Sequence, residues 1–415
     1  MGRRTGLPPI SWLMQTALTR PKLISLAAGF TDNATLPVEL SRKLLNQILR
    51  SPKTGQSALQ YGITAGEMNL RTLTAKHLQK LDGGHDHAHS PEHVIITGGS
   101  QQLLYMTLEA LCDEGDILLV EDPTYFVFLS ILQSRGLQAR GVKLERDGID
   151  LVHLETVLER LKKSGELRRV KALYLVTYFQ NPTGATTSLA KKAATLKLLK
   201  KFERAAGHPL YLLEDAAYRE LRFDHGEDVP TALTLPGAAE RVIYTGTYSK
   251  PYAPGTRVGF GILPEPLFTT VQRIKGNHDF GTANLLQQLL AGALASGLYD
   301  KHVAKVRKNY ARKARVMKLA LAEHFPASVE IWESGGGLYF WARLPEDVSA
   351  GVKSKVFQTA LKHDVLYVPG ELCYADDPSR AKPDHEMRIS FGSASEENIR
   401  KGIARLGRVL KQFIR

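Results

Sequence analysis

The stretch Val242-Ile243-Tyr244-Thr245-Gly246-Thr247-Tyr248-Ser249-Lys250 joins a short apolar run to a lysine. Its first four residues predict a buried strand, because they are β-branched or aromatic and carry no charge. A lysine just past a buried strand is unusual, since desolvating an ammonium group is costly. An amine with a lowered pKa can form a Schiff base with an aldehyde. The hydroxyl groups of the stretch and the guanidinium of Arg257, which follows it, suit a phosphate.

Upstream of this stretch, short apolar runs alternate with helical patterns. The runs that predict further buried strands are Val94–Thr97, Ile117–Glu121, Ala172–Thr177 and Leu210–Glu214. The helical patterns between them include Gln101–Cys112, Thr124–Leu132 and Leu189–Ala206. Such alternation indicates an α/β fold whose mostly parallel central sheet has helices on both faces.

Polar motifs follow each of these predicted strands, where ligands of open parallel sheets bind. In chain order they are Gly98-Gly99-Ser100-Gln101, Asp122-Pro123-Thr124-Tyr125, Asn181-Pro182-Thr183-Gly184 and Asp215-Ala216-Ala217-Tyr218. Glycines before a helix N-terminus allow a phosphate to approach the backbone, although a tight turn with Ser100 as its cap explains the first motif equally well. The order of the motifs along the chain is more informative than any one of them.

The other motifs also have a functional and a plainer explanation. Tyr125 could lie over a flat ring, or it could be a core tyrosine. Asn181 could donate to an oxygen on a ring ligand, or simply begin a turn. Asp215 is costly at the inner end of a strand unless it is paired, and a protonated pyridine nitrogen is a suitable partner; the alternative is a cap for the next turn.

The chain changes character from about Thr282. Long helical patterns run to Phe325, and a strand pair follows at Val329–Glu333 and Gly337–Leu344. The strand Glu386–Phe391 and a helix from Glu396 complete the chain. We therefore predict an N-terminal segment (residues 1–45) that packs with the small domain, a large domain (46–285) and a small α+β domain (286–415).

Taken together, the motifs resemble the fold-type I pyridoxal-phosphate enzymes, and among them the class I/II aminotransferases, over nearly the whole chain. The stretches Ile24–Gly29 and Gln60-Tyr61-Gly62 are most similar to the aminoadipate and kynurenine aminotransferase branch. The resemblance implies the cofactor pyridoxal 5'-phosphate and an enzyme that moves an amino group from an L-amino acid to a 2-keto acid such as 2-oxoglutarate.

The resemblance also implies a role for each matching residue. Lys250 would hold the cofactor and shuttle a proton, and Asp215 would keep its ring nitrogen protonated. Asn181 and Tyr218 would bond the phenolic oxygen of the cofactor, and Tyr125 would stack on its ring. The residues that would bind its phosphate are Ser100, Gln101, Thr247, Ser249 and Arg257, with Tyr61 reaching the phosphate of the neighbouring subunit in a homodimer.

For the substrate, the resemblance implies that Arg388 grips the α-carboxylate, with Asn181 and Gly29 beside it. In the aminoadipate branch an N-terminal arginine meets the distal carboxylate, whereas here Ser11 or Trp12 stands near that slot. We therefore expect an apolar or aromatic donor, with an aminoadipate-like donor as the alternative. Tyr339 and Trp341 alternate along one predicted strand and could line the same pocket or belong to the core.

Composition and charge limit the partners, cellular locations and metal sites that can be expected for this chain. The 415 residues carry a formal net charge of +13 and two cysteines. The basic residues are spread over amphipathic helices, so we expect no nucleic-acid partner. With no apolar run of membrane-spanning length and no signal peptide, we expect no membrane contact and a cytoplasmic location. We expect no metal, because the histidines of His85-Asp86-His87-Ala88-His89 lie in a polar, loop-like stretch.

Two other functions stay open at this point. The same fold supports other pyridoxal-phosphate reactions, such as β-elimination or a synthase step. It also forms the effector half of some transcription regulators, which merely sense the cofactor. In those proteins a winged helix-turn-helix precedes the domain, and we expect no room for one here because the entry segment of the domain begins within the first thirty or so residues.

Overall fold

The computed structural model describes residues 4–6, 8–85, 90–223 and 228–414. In this part of the chain the strands are β1 (Ile24–Ser25), β2 (Val94–Thr97), β3 (Ile117–Asp122), β4 (Gln138–Glu145), β5 (Gly148–Ile149), β6 (Val170–Val176), β7 (Tyr211–Asp215), β8 (Val242–Thr247), β9 (Gly259–Ile262), β10 (Glu330–Trp332), β11 (Tyr339–Arg343), β12 (Val365–Leu366), β13 (Val368–Pro369) and β14 (Glu386–Ser390).

The helices connect and cover these strands. They are α1 (Pro9–Thr19), α2 (Val38–Ile48), α3 (Pro52–Leu59), α4 (Met68–Leu81), α5 (Ser100–Leu111), α6 (Phe126–Arg135), α7 (Leu151–Lys163), α8 (Leu189–Ala206), α9 (Ala238–Arg241), α10 (Leu267–His278), α11 (Asn284–Ala295), α12 (Leu298–His324), α13 (Lys355–Lys362) and α14 (Glu396–Phe413).

The main sheet has the strand order β2-β9-β8-β7-β6-β3-β4-β5. Its centre, from β8 across to β4, is parallel, whereas β9 and β5 run antiparallel to their neighbours. Among these strands, β3, β6, β7 and β8 are buried along nearly their whole length, which explains why their sequences are continuous apolar runs rather than an alternating pattern. The predicted fold class, a mostly parallel sheet between helices, is confirmed.

Helix α5 lies close to the sheet because β9 carries glycines. A Cβ on Gly259 would stand 2.4 Å from the backbone nitrogen of Ser100, and a Cβ on Gly261 would stand 2.2 Å from Leu103 Cδ2. Such distances are shorter than any real carbon contact, so a larger residue would displace the helix. The absence of side chains at these two glycines therefore allows the N-terminus of α5 to lie against the edge of the sheet where β8 ends.

The predicted strands are all present, with ends that differ by one or two residues. The predicted helix Thr124–Leu132 begins later, at Phe126. The sequence pattern does not predict β4 or β9. Strand β9 contains two glycines, which weaken the strand pattern.

A second sheet follows, with the order β10-β11-β14-β13 and antiparallel pairing throughout. The helices α12 and α14 pack against each other beside it. Near the N-terminus, β1 pairs with β12, which places Ile24 and Ser25 beside the C-terminal part of the chain. The division at residues 45 and 285 stays a prediction.

Part of the histidine-rich stretch, from Asp86 to His89, lies outside the described residues. Within the described ranges, every helix is too short or too polar to cross a bilayer.

Candidate active site

The carboxyl ends of the parallel strands surround a cavity of about 280 Å³. Strands β3, β6, β7 and β8 end here, as they must at one edge of a parallel sheet, and α5 points its N-terminus at the same place. The cavity brings together most of the residues singled out in the sequence, namely Gly29, Gly99, Ser100, Gln101, Tyr125, Asn181, Asp215, Tyr218, Thr247, Ser249, Lys250, Arg257, Tyr339 and Arg388.

Lys250 follows β8 and directs its amine into the cavity. Its Nζ donates to the carbonyl oxygen of Gly29 over 2.7 Å. Burial lowers the pKa of Lys250 to about 8, and the positive charges of Arg388 and Arg257 add to the effect. Near neutral pH, a larger fraction of this amine is therefore uncharged and nucleophilic than in an exposed lysine.

Asp215 is the last residue of β7 and is almost fully buried. The Tyr174 hydroxyl donates to its Oδ2 over 2.8 Å, and the backbone N–H of Ala217 donates to its Oδ1 over 3.1 Å. Burial raises the pKa of Asp215 to about 6, although both hydrogen bonds oppose that rise. A cationic group placed against this carboxylate would favour its ionised form.

Arg257 also lines the cavity, together with residues at the N-terminus of α5. It holds a left-handed backbone conformation with φ of 49°. Its Nη1 lies 3.5 Å from Ser249 Oγ, and its Nη2 donates to the Gly98 carbonyl over 3.2 Å. Gly99 has a φ of 95°, a conformation that favours glycine, and a Cβ there would stand 2.7 Å from Arg257 Nη2, so glycine also leaves the guanidinium in its place beside the α5 N-terminus. Hydroxyls, a guanidinium and free helix N–H groups together form a cradle for a phosphate.

Arg388 lies in β14 and is 1% exposed. Its Nη1 donates to Asn181 Oδ1 over 2.7 Å, and its Nη2 donates to the Ala27 carbonyl over 2.6 Å. The guanidinium carbon stands 4.3 Å from the centre of the Tyr339 ring. Its Nε is buried and finds no hydrogen-bond partner among the described residues. A buried arginine with an unused donor suits a small carboxylate ligand.

Asn181, Tyr218 and Tyr339 form one hydrogen-bonded group. Asn181 Nδ2 donates to the Tyr218 hydroxyl over 3.2 Å, and the hydroxyls of Tyr218 and Tyr339 are 3.0 Å apart. All three residues line the cavity. Tyr339 thus lines this cavity, whereas Trp341 is buried without lining it.

Two aromatic residues from the sequence analysis lie elsewhere. Tyr61 is 81% exposed and contacts Phe280 edge-on, with ring centres 5.5 Å apart, so it does not line the cavity of its own chain. Trp12 packs edge-on against Phe357 at 6.1 Å and is not among the lining residues. The expectation that Trp12 stands near a substrate pocket therefore finds no support in the described chain.

Several residues of the site are not indicated by the sequence. Tyr174 donates to Asp215 without lining the cavity, and the apolar residues that line it include Phe30, Leu104, Phe126 and Val127. Phe126 directly follows Tyr125, which was a usable signal. The others sit in ordinary apolar patterns that indicate core, because side-chain direction near a strand end depends on distant packing.

The sequence model of aminotransferase class I and II matches residues 21–406. The chain belongs to this family. Aromatic-amino-acid aminotransferase 1 of Thermococcus litoralis is 34% identical to this aminotransferase, over 94% of this chain and 88% of its own.

Solved structures agree with the family. Pyrococcus horikoshii kynurenine aminotransferase, crystallised with PMP, matches with a TM-score of 0.89 and 31% identity, over 99% of this chain and 96% of that chain. The α-aminoadipate aminotransferase of Thermus thermophilus, complexed with N-(5'-phosphopyridoxyl)-L-leucine, matches with a TM-score of 0.84 and 31% identity, over the same two shares.

The cofactor of this aminotransferase is pyridoxal 5'-phosphate, and its substrates are amino acids and keto acids. The cavity fits the cofactor at each of its chemical groups. The cradle at Arg257 suits the phosphate, the buried carboxylate of Asp215 suits a protonated ring nitrogen, and the amine of Lys250 lies in the same cavity for the aldehyde.

Proposed function

We propose that this aminotransferase transfers the amino group of an apolar, aromatic or aminoadipate-like L-amino acid to a 2-keto acid such as 2-oxoglutarate. One observation carries the proposal. A single cavity contains an amine with a lowered pKa, a buried carboxylate and a buried guanidinium, which belong to Lys250, Asp215 and Arg388. These groups match the aldehyde, the ring nitrogen and the substrate carboxylate, respectively.

Each residue has a distinct task in the proposed site. Bound pyridoxal phosphate supplies an electron sink that stabilises negative charge on the substrate α-carbon. Asp215 keeps a proton on the ring nitrogen by placing a negative charge beside it. Lys250 holds the cofactor and moves the α-proton, for which its lowered pKa suits it. Tyr125 covers the ring face, and Tyr218 with Asn181 bonds its phenolic oxygen.

The phosphate and the substrate carboxylate are held at separate places. Arg257 binds the phosphate together with Ser100, Gln101, Thr247 and Ser249. Arg388 grips the α-carboxylate with its planar fork, and its contacts with Asn181 and Ala27 set the direction of that fork. Every amino acid and keto acid carries this carboxylate, so one arginine serves both halves of the reaction.

The walls of the cavity favour an apolar donor. Among the described lining residues, the positive charges are those of Lys250, Arg257 and Arg388, and each already has a partner in the proposed site. A distal carboxylate would therefore lose its hydration here without gaining a cation from these residues. Phe30 and Leu104 instead offer apolar surface. We keep aminoadipate as the second donor class, because one relative named above is an α-aminoadipate aminotransferase that was complexed with a leucine derivative.

A panel of amino acids tests the proposed donor class. Leucine, methionine, phenylalanine and tryptophan would be compared with glutamate and aminoadipate, and the absorbance of the bound cofactor would be followed in single turnovers. We expect the apolar and aromatic donors to react most efficiently and 2-oxoglutarate to restore the original spectrum. A clear preference for aminoadipate would show that a cation outside the described cavity binds the distal carboxylate. If no donor changed the spectrum, transamination itself would be refuted.

We further propose a homodimer in which Tyr61 reaches the cofactor phosphate of the neighbouring subunit. Tyr61 is exposed, and Leu59, Ile63 and Phe280 surround it with further exposed apolar surface. An apolar patch of this kind is typical of a protein interface. Tyr61→Phe should weaken cofactor retention on dialysis, and Val152→Ser, an exposed apolar residue on α7, is the matched control. An active monomer in light scattering would contradict the proposal.

A further inference from the structure

Tyr339 lines the cavity and contacts two residues that have separate proposed tasks, Tyr218 and Arg388. It is 1% exposed, its hydroxyl lies 3.0 Å from that of Tyr218, and its ring lies over Arg388. In the sheet, Tyr339 pairs with Ser390 on β14, so Arg388 is its diagonal neighbour on that strand. A Cβ on Gly29 would stand 2.5 Å from the Tyr339 hydroxyl oxygen, so any side chain at position 29 would collide with this hydroxyl.

The orientation of the Asn181 amide follows from its contact with Arg388. A guanidinium can only donate hydrogen bonds, so Asn181 must present its carbonyl oxygen to Arg388. Its NH₂ group therefore faces the Tyr218 hydroxyl and donates to it. One of the two lone pairs of the Tyr218 oxygen is occupied by this bond.

The hydroxyls of Tyr218 and Tyr339 share one hydrogen bond, and its direction decides where the free hydrogen lies. If Tyr218 donated, it would keep no hydrogen for a ligand, and the hydrogen of Tyr339 would find no other acceptor among the described residues. If Tyr339 donates, both lone pairs of Tyr218 are occupied and its only hydrogen is free. When the phenolic oxygen of the cofactor accepts that hydrogen, the second arrangement leaves no hydroxyl hydrogen unsatisfied. The first would still leave the Tyr339 hydrogen without an acceptor among the described residues.

We propose that Tyr339 is a positioning residue: its hydroxyl donates to Tyr218 and thereby directs the Tyr218 hydrogen to the phenolic oxygen of the cofactor, while its ring supports Arg388. This inference rests on the proposed roles of Tyr218 and Arg388 and adds a residue to them. A hydroxyl that accepts two hydrogen bonds is also a stronger donor, because hydrogen bonds in a chain polarise one another.

The hydroxyl and the ring of Tyr339 can be tested separately in the holoenzyme. Tyr339→Phe keeps the ring, so the KM for amino donors should change little. The pH midpoint of the absorbance of the bound cofactor should rise by about half a pH unit or more, because a weaker donor stabilises the negative phenolic oxygen less. Tyr339→Leu also removes the ring, and the KM should rise several-fold for every donor.

Two further variants make the test decisive. Tyr367→Phe is the matched control, because Tyr367 is a fully buried tyrosine whose hydroxyl donates over 2.9 Å to the Ala350 carbonyl, away from the cavity. It should leave the midpoint unchanged. Gly29→Ala should raise the midpoint as Tyr339→Phe does, since its methyl group would push the hydroxyl away from Tyr218, and it reports on the proposal even if Tyr339→Phe fails to fold.

The possible results separate this inference from the proposed function. An unchanged midpoint in a folded Tyr339→Phe variant, with a wild-type enzyme that transaminates, would overturn the role of the hydroxyl. An unchanged KM in Tyr339→Leu would overturn the role of the ring. A wild-type enzyme that reacts with no amino donor would instead refute the proposed function, whatever the midpoints of the variants.

Discussion

The affinity of the apoenzyme for its cofactor should fall as the pH drops below about 6, and Asp215 should cause much of the fall. Burial raises the pKa of Asp215 to about 6 in the chain without cofactor. A protonated ring nitrogen beside this carboxylate requires its ionised form, so binding of the cofactor lowers its pKa. A carboxyl group whose pKa falls on binding strengthens binding when the pH lies above the pKa that it has in the free protein. For Asp215 this contribution is lost as the pH falls through about 6.

The size of the effect follows from the ionised fraction. With a pKa of about 6, the carboxylate is about nine-tenths ionised at pH 7 and about one-tenth ionised at pH 5. The dissociation constant should therefore rise about tenfold between these two pH values through Asp215 alone. Lys250, whose pKa is about 8, stays mostly protonated over this range and contributes little.

The assay uses 4'-deoxypyridoxine 5'-phosphate, which lacks the aldehyde and so cannot bond covalently to Lys250. Its dissociation constant would be measured by fluorescence at several pH values from 5 to 7, for the wild-type apoenzyme and for Asp215→Asn. The free ligand titrates in the same way in both experiments, so a difference between the two proteins reflects residue 215 and the ring nitrogen bound beside it. The wild-type constant should rise about tenfold more than that of the variant. Equal pH dependence in the two proteins would refute the pairing of Asp215 with the ring nitrogen.

Three other predictions follow from the same structure. Lys250→Ala should abolish transamination while the fold survives, and borohydride reduction with peptide mapping of the wild-type enzyme should find the cofactor on Lys250; a label on another lysine would disprove the assignment. Arg388→Lys should raise the KM for every amino acid, by roughly tenfold or more for one lost charge-assisted hydrogen bond. If steady-state kinetics showed a higher KM for acidic donors alone, Arg388 would instead lie at the distal end of the pocket. Burial alone would lower the pKa of His77, but the adjacent Glu220 carboxylate, 2.9 Å away, raises it overall. The stabilising ion pair is thus fully formed below the ordinary histidine pKa and is lost as the pH rises through the higher pKa of the folded protein. His77→Gln should therefore lower the urea midpoint of unfolding more at pH 5.5 than at pH 8.5. An equal decrease at both pH values would argue against the ion pair.

The sequence alone determined the fold class and most of the cavity, for a reason that lies in sheet geometry. Apolar runs of strand length mark the buried strands, and parallel strands end at one edge. Residues at these strand ends or a few positions beyond them, such as Asp215, Lys250 and Asn181, are therefore expected to lie together, and they line one cavity. The local sequence pattern is therefore enough to predict that these residues lie together, without any information on distant packing.

Only the tertiary structure decided which side chains touch each other and how they are charged. Nothing near Tyr174 or Tyr339 in the sequence indicates that one bonds Asp215 and the other bonds Tyr218. The resemblance places Ser11 or Trp12 near the distal end of the substrate site, and in the folded chain Trp12 packs against Phe357. Such contacts join residues far apart in the chain, and side-chain directions and desolvation depend on the packing of all neighbouring elements at once. The strand ends are a local property of the sequence, whereas the hydrogen bonds between them exist only in the folded chain.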